Sequence, residues 1–112
     1  MKFYKQGQTI LEGINGEASL DEVKVRSVDA SVEKHVPQIE INGNKVTITV
    51  GSVIHPMEEK HYIEFIEIET KKGIQRKNLD PGDEPKAEFI LVDDELLCAY
   101  AYCNLHGMWD NK

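Results

Sequence analysis

The sequence predicts an all-β chain, an antiparallel β-sandwich preceded by a small β subdomain. Three observations lead there. Polar and apolar residues alternate with a period of two in several short runs, as half-buried strands require. Turn-forming Asn, Gly and Pro separate those runs at short spacing. No stretch carries the three-to-four-residue apolar period of a helix.

Taken in order, residues 1–30 read as the small β subdomain. Phe3, Tyr4, Ile10, Leu11 and Ile14 are scattered among Gly7, Gly13 and Gly16, which suits short strands and turns. Ser19-Leu20-Asp21-Glu22 could start a helical turn, but Val23, Val25 and Val28 favour extended chain. A linker is expected near residues 27–32. The second domain, residues 31–112, opens with Gln38-Ile39-Glu40-Ile41, a turn at Asn42-Gly43, and the alternating Lys45-Val46-Thr47-Ile48-Thr49-Val50. Gly51 ends that strand, and a polar loop follows to Lys60. Residues 62–70 form a strand with Ile66 and Ile68 inward, Glu67 and Glu69 outward, and a bulge suggested by the doublet Phe65-Ile66. Residues 74–79, 87–92 and 96–102 complete the strands. On the last, Leu97, Ala99, Ala101 and Cys103 share one face, and Cys98, Tyr100 and Tyr102 the other.

At 112 residues with 40% hydrophobic content, the chain suits a soluble fold with a modest core. A net charge of −7 argues against nucleic acid and anionic membrane surfaces as partners. No apolar leader or membrane-length run is present, so the expected location is cytoplasmic. Cys98 and Cys103 would be reduced there, and their opposite faces do not suit a disulfide.

Near the end of the chain, Tyr102-Cys103-Asn104-Leu105-His106-Gly107-Met108-Trp109 sets a thiol and an imidazole close enough to share a metal ion. The only other histidines are His35, His55 and His61, each at the boundary of an element. Four imidazoles and one thiolate exceed a tetrahedral zinc site and leave an octahedral metal one open position. The alternative is four ordinary histidines, on the surface or hydrogen-bonded in the core. Trp109 likewise reads as core or as a shield for such a site.

Glu33-Lys34-His35-Val36-Pro37, then Gly51-Ser52-Val53-Ile54-His55-Pro56-Met57-Glu58-Glu59-Lys60-His61-Tyr62-Ile63, then Leu79-Asp80-Pro81-Gly82-Asp83, then the Tyr102 to Trp109 stretch closely resemble the superoxide reductases, the desulfoferrodoxin and neelaredoxin family. The resemblance runs from about Asp29 to Trp109. It implies an immunoglobulin-like seven-stranded sandwich carrying one mononuclear iron. It makes His35, His55, His61 and His106 the imidazole ligands and Cys103 the axial thiolate. Glu33 and Lys34 fall beside the sixth position, Glu33 as a ligand of ferric iron and Lys34 as the residue that draws in superoxide. Lys60 is a second candidate for that attraction. Met1-Lys2-Phe3-Tyr4-Lys5 resembles the start of the family's four-cysteine iron domain, but Gln6 stands where its first cysteine would be. No cysteine precedes Cys98, so the N-terminal subdomain is expected to lack metal.

The implied activity is one-electron reduction of superoxide to hydrogen peroxide, with rubredoxin or a similar small protein as electron donor. So small an N-terminal segment needs support, from packing on the sandwich or on a second subunit, and a homo-oligomer, dimer or larger, is expected. Two other readings stay open: a non-catalytic iron-binding or electron-transfer module with the same ligands, and a structural sandwich with incidental histidines. Glu33 and Lys34 are expected in extended chain, Glu33 on the side of His35 and Lys34 facing outward.

Overall fold

The computed structural model describes residues 1–6, 9–13 and 21–112. Ten strands and one short helix occur among them: β1 (Lys2–Gln6), β2 (Thr9–Gly13), β3 (Asp21–Val23), α1 (Val32–His35), β4 (Pro37–Asn42), β5 (Lys45–Val50), β6 (Ile63–Thr70), β7 (Gly73–Asn78), β8 (Lys86–Ile90), β9 (Leu96–Cys103) and β10 (Gly107–Asp110). Gly7, Ile14, Gly16 and the Ser19-Leu20 start of the expected helical turn lie outside the described residues. Asp21 and Glu22 belong to strand β3.

Seven strands make the sandwich. One sheet has the order β10-β9-β6-β7 and the other β4-β5-β8, with every pairing antiparallel. Alternation along β5 explains the core: Val46, Ile48 and Val50 are buried, and the residues between them are partly exposed. They meet Ile63, Ile66, Ile68, Ala87, Phe89, Ala99, Ala101 and Cys103 between the sheets. The small Ala99 and Ala101 serve close sheet-to-sheet contact.

A third sheet, β2-β1-β3, packs on the outer face of the four-stranded sheet. Phe3 and Ile10 form a second core with Phe65, Cys98, Tyr100 and Met108. Phe3 meets the Tyr100 ring edge-on at 4.9 Å. From Cys98 to Cys103 the two faces of β9 divide as the alternation predicts, and both are covered. Leu97 departs from it, 46% exposed, because the register shifts between Glu69 and Thr70 and Leu96 packs on the sandwich core instead.

Four further details differ from the sequence reading. A helical turn, α1, stands where extended chain was expected; four residues are too few for a period to register. Gly107–Asp110 forms a strand, β10, that its composition did not mark. Asn42 pairs with Lys45 as the last residue of β4, so the turn residues are Gly43, at φ 63°, and Asn44. Glu67 does leave the sandwich core, but it is fully buried beneath the N-terminal sheet. There Arg76 binds it, Nε to Oε1 at 2.7 Å, and binds Glu12 of β2 at 2.5 Å. The register slips between Ile63 and Phe65, so a bulge does precede the Phe65-Ile66 doublet.

Candidate metal centre

Three separated segments converge at one end of the sandwich. The first is α1. Val36 bonds back to Val32 and is itself extended, as a residue before proline prefers, so the helix stops after one turn. His35 lies on its buried side. The second is the turn after β5, where His55 N–H donates to Val50 O at 2.9 Å. Gly51 makes the approach of these two segments possible: a Cβ there would lie 2.6 Å from Glu33 O. Val53 N–H donates to the same carbonyl at 2.9 Å and fastens α1 to the turn. The third is the end of β9, where Cys103 is followed by a tight return into β10 that carries His106.

The four imidazoles close into a ring. Neighbouring centroids lie 4.7 Å (His35 to His55), 4.7 Å (His55 to His61), 5.2 Å (His61 to His106) and 4.8 Å (His106 to His35) apart, with planes crossed at 76° to 86°. Donor atoms of His35, His61, Cys103 and His106 all lie within 4.8 Å of one another. His55 stands outside that mutual set but brings its Nε2 to 3.2 Å from His35 Nε2. His106 turns Nδ1 inward, 3.0 Å from His35 Nε2 and 3.9 Å from Cys103 Sγ.

The tautomers of two rings follow from their outer contacts. His35 Nδ1 lies 2.6 Å from Ser31 O, and His55 Nδ1 lies 2.7 Å from Pro56 O. A carbonyl only accepts, so each Nδ1 carries the proton and each neutral ring turns an unprotonated Nε2 to the centre. Two such lone pairs at 3.2 Å have no proton to share, and a cation between them relieves the contact. His61 Nε2 is also buried with no hydrogen-bond partner. Burial holds His35 and His61 below the usual imidazole range and takes His55 down to about 4. Neutral imidazole is the form that ligates metal. Burial raises the Cys103 thiol, while the N–H groups of Leu105 and His106 act in the opposite direction. The donor set therefore fits a transition metal that accepts imidazole and thiolate, iron among them.

His35, His55 and Cys103 are buried, and His61 and His106 are partly exposed. Trp109 is buried and also lies against the site: its ring stacks on His35 at 5.0 Å, and its Nε1 donates to His106 O at 3.0 Å. Glu33 and Lys34 are exposed on α1. On a helical turn Glu33 and His35 lie some 200° apart, so Glu33 does not share the side of His35. Its carboxyl is held below the usual range first by its own backbone N–H. Lys34 lies close enough to disfavour the charged forms of His35 and His61. Lys60 is exposed beside His61. Sequence reasoning missed Gly51, which looked only like a strand end, and the carbonyls of Ser31 and Pro56, for which no side chain signals.

Comparison with known proteins places this geometry. Residues 27–112 match the family model described as Desulfoferrodoxin. A desulfoferrodoxin homolog from Archaeoglobus fulgidus is 55% identical over 89 residues, covering 80% of this chain and 70% of that one. The superoxide reductase of Pyrococcus horikoshii is 36% identical over 106 residues, 79% of this chain and 92% of that one. The crystal structure of the superoxide reductase from Treponema pallidum superposes with a TM-score of 0.88 at 40% identity, covering 99% of this chain and 98% of that one.

Proposed function

This chain belongs to the desulfoferrodoxin family, and we propose that it acts as a superoxide reductase: superoxide, one electron and two protons give hydrogen peroxide. The observation that carries this reading is the closed ring of four imidazoles beside a buried thiol.

The cofactor is one mononuclear iron per chain, held by His35, His55, His61, His106 and Cys103. Bound there, iron supplies the electron that superoxide takes up. The protein's own groups do the rest. Cys103 as thiolate raises electron density at the centre, and the N–H groups of Leu105 and His106 temper it. The buried His35 and His55 keep one side dry, and the partly exposed edges of His61 and His106 leave solvent protons a way in. Superoxide is an anion and the chain carries −7, so attraction has to be local. Lys34 supplies it, with Lys60 beside His61 as the second cation. Glu33 would serve as an oxygen ligand when the iron is oxidised, and because it sits on the exposed side of α1 this turn would have to move first.

Rubredoxin or a similar small protein delivers the electron. Residues 1–30 form a metal-free subdomain on the iron-binding domain of 31–112; Gln6 in place of a cysteine supports that division. The protein works in the cytoplasm as a homo-oligomer. Self-association is supported by Ile39 and Ile41, which pair with the core residues Ile48 and Val46 yet stand 37% and 61% exposed. No helix among the described residues is long and apolar enough to cross a membrane.

Rapid mixing of the reduced protein with superoxide tests the roles. Lys34→Ala slows the second-order reaction, and added salt slows the native protein more than the variant. Glu33→Ala leaves that rate nearly unchanged but alters the spectrum of the oxidised protein. A native rate for Lys34→Ala at low salt makes the lysine an ordinary solvated charge.

A further inference from the structure

Ligand histidines are usually oriented through their outer ring nitrogen, which donates to a carboxylate or carbonyl. His35 and His55 follow that rule through Ser31 O and Pro56 O. His61 does not: among the described residues no hydrogen-bond partner reaches its ring. Its position has to come from its backbone, and that backbone is held on both sides. His61 N–H donates to Glu58 O at 3.0 Å, and Glu58 N–H returns a bond to His61 O at 2.9 Å. The flanking residues are both taken by Asn104. Asn104 Nδ2 donates to Lys60 O at 2.9 Å, and Asn104 Oδ1 accepts from Tyr62 N–H at 3.0 Å. The Asn104 backbone N–H adds a bond to Tyr62 O at 3.2 Å.

We propose that Asn104 is the positioning residue for His61, tying a ring that lacks an anchor of its own to the segment that carries Cys103. This rests on the reading of His61 and Cys103 as ligands of one metal. The place in the fold explains why a side chain does this work. Pairing of β6 with β9 slips between Phe65 and Ile63 and ends with Ile63 opposite Cys103. Past that end no strand partner remains for Lys60 and Tyr62, and one primary amide supplies both the donor and the acceptor they lack. Asn104 is the next residue after Cys103, so any shift of the thiolate segment carries His61 with it. An aspartate could accept from Tyr62 N–H but would set an oxygen against Lys60 O. Alanine would release both sides.

The test is anaerobic titration of the metal-free protein with Co²⁺, followed by the thiolate-to-cobalt absorption that Cys103 provides. Thermal melting of each metal-free variant is measured alongside. Loss of an orienting partner typically weakens metal binding about 10- to 100-fold. Asn104→Ala is expected to fall in that range and Asn104→Asp between it and native. In a His61→Ala background, Asn104→Ala is expected to add no further loss, because the two act as one unit. Native affinity in Asn104→Ala with only a lower melting temperature overturns the proposal, as does a full additional loss on top of His61→Ala. If Asn104→Ala does not fold, Asn104→Asp decides: native affinity contradicts the role. If the native protein itself gives no thiolate band with one Co²⁺ per chain, the metal centre falls, and not the role of Asn104 alone.

Discussion

On one face of β9, Ala99, Ala101 and Cys103 look into the sandwich; on the other, Cys98, Tyr100 and Tyr102 look toward the N-terminal sheet. The inner face is apolar along its length and ends in a metal-ligating thiol. The outer face is aromatic, and beside it on β6 and β7 lies a buried charged group. Glu67 is fully buried and holds Arg76 by one oxygen, while its Oε2 has no donor. Burial pushes its carboxyl up to about 8, with Glu12 adding to the effect, while Glu12 is held below the usual range, first by the neighbouring Glu67 carboxyl. A protonated Glu67 that donates to the Glu12 carboxylate satisfies the lone oxygen and leaves Arg76 one net negative partner. Arg76 also sits 3.7 Å over Phe65, whose ring stacks on Tyr102 at 5.5 Å. One strand thus serves chemistry through one side and attachment of the N-terminal sheet through the other.

Separate roles predict separable damage. The largest effect is expected from Cys103→Ser, which abolishes the visible thiolate-to-iron band while the metal-free protein still folds and melts cooperatively. A surviving band removes Cys103 from the ligand set. On the outer face, Phe3→Ala should do the reverse. It costs about 3 kcal/mol of stability in urea, the low end for deleting a buried phenylalanine, and leaves the band in place. A band lost together with stability would show that the two faces are coupled.

The smallest and sharpest effect concerns Glu67. Its folded pKa is raised from 4.5 to about 8, so the stability it adds is complete below 4.5 and drains away as pH rises through about 8. Glu12 is shifted the other way and acts below that window. Glu67→Gln keeps the acceptor for Arg76, offers an N–H to Glu12, and cannot ionise. Urea melts of the two proteins should diverge between pH 5 and 8 in favour of Glu67→Gln, by at most about 1.4 kcal/mol per pH unit. Subtracting the curves cancels the histidines that both proteins share. Parallel curves contradict the shared proton.

The same two faces show how far the sequence could be read. Lys45 to Val50 and Cys98 to Cys103 follow the period of two that strands impose, so their faces were legible residue by residue, whereas a register shift at the start of β9 turned Leu97 outward. Glu67 was assigned outward correctly, yet nothing within β6 says that residues of β1 and β2 cover that side. Whether an outward carboxylate meets water or another sheet is decided far away in the chain. At the site, a resemblance in four short motifs gave residue types, while α1 was missed because one helical turn leaves no periodic trace. The consequence is specific: Glu33 parts from the side of His35. Gly51 carried its meaning in an approach to Glu33 O that only the folded chain displays.

Product stoichiometry tests the central claim most directly. The reduced protein is mixed with a known amount of superoxide, and hydrogen peroxide and oxygen are both measured within one turnover. Superoxide reduction predicts one hydrogen peroxide for each superoxide consumed, with no oxygen released. Half that yield of peroxide, accompanied by an equal amount of oxygen, would mean dismutation and contradict it.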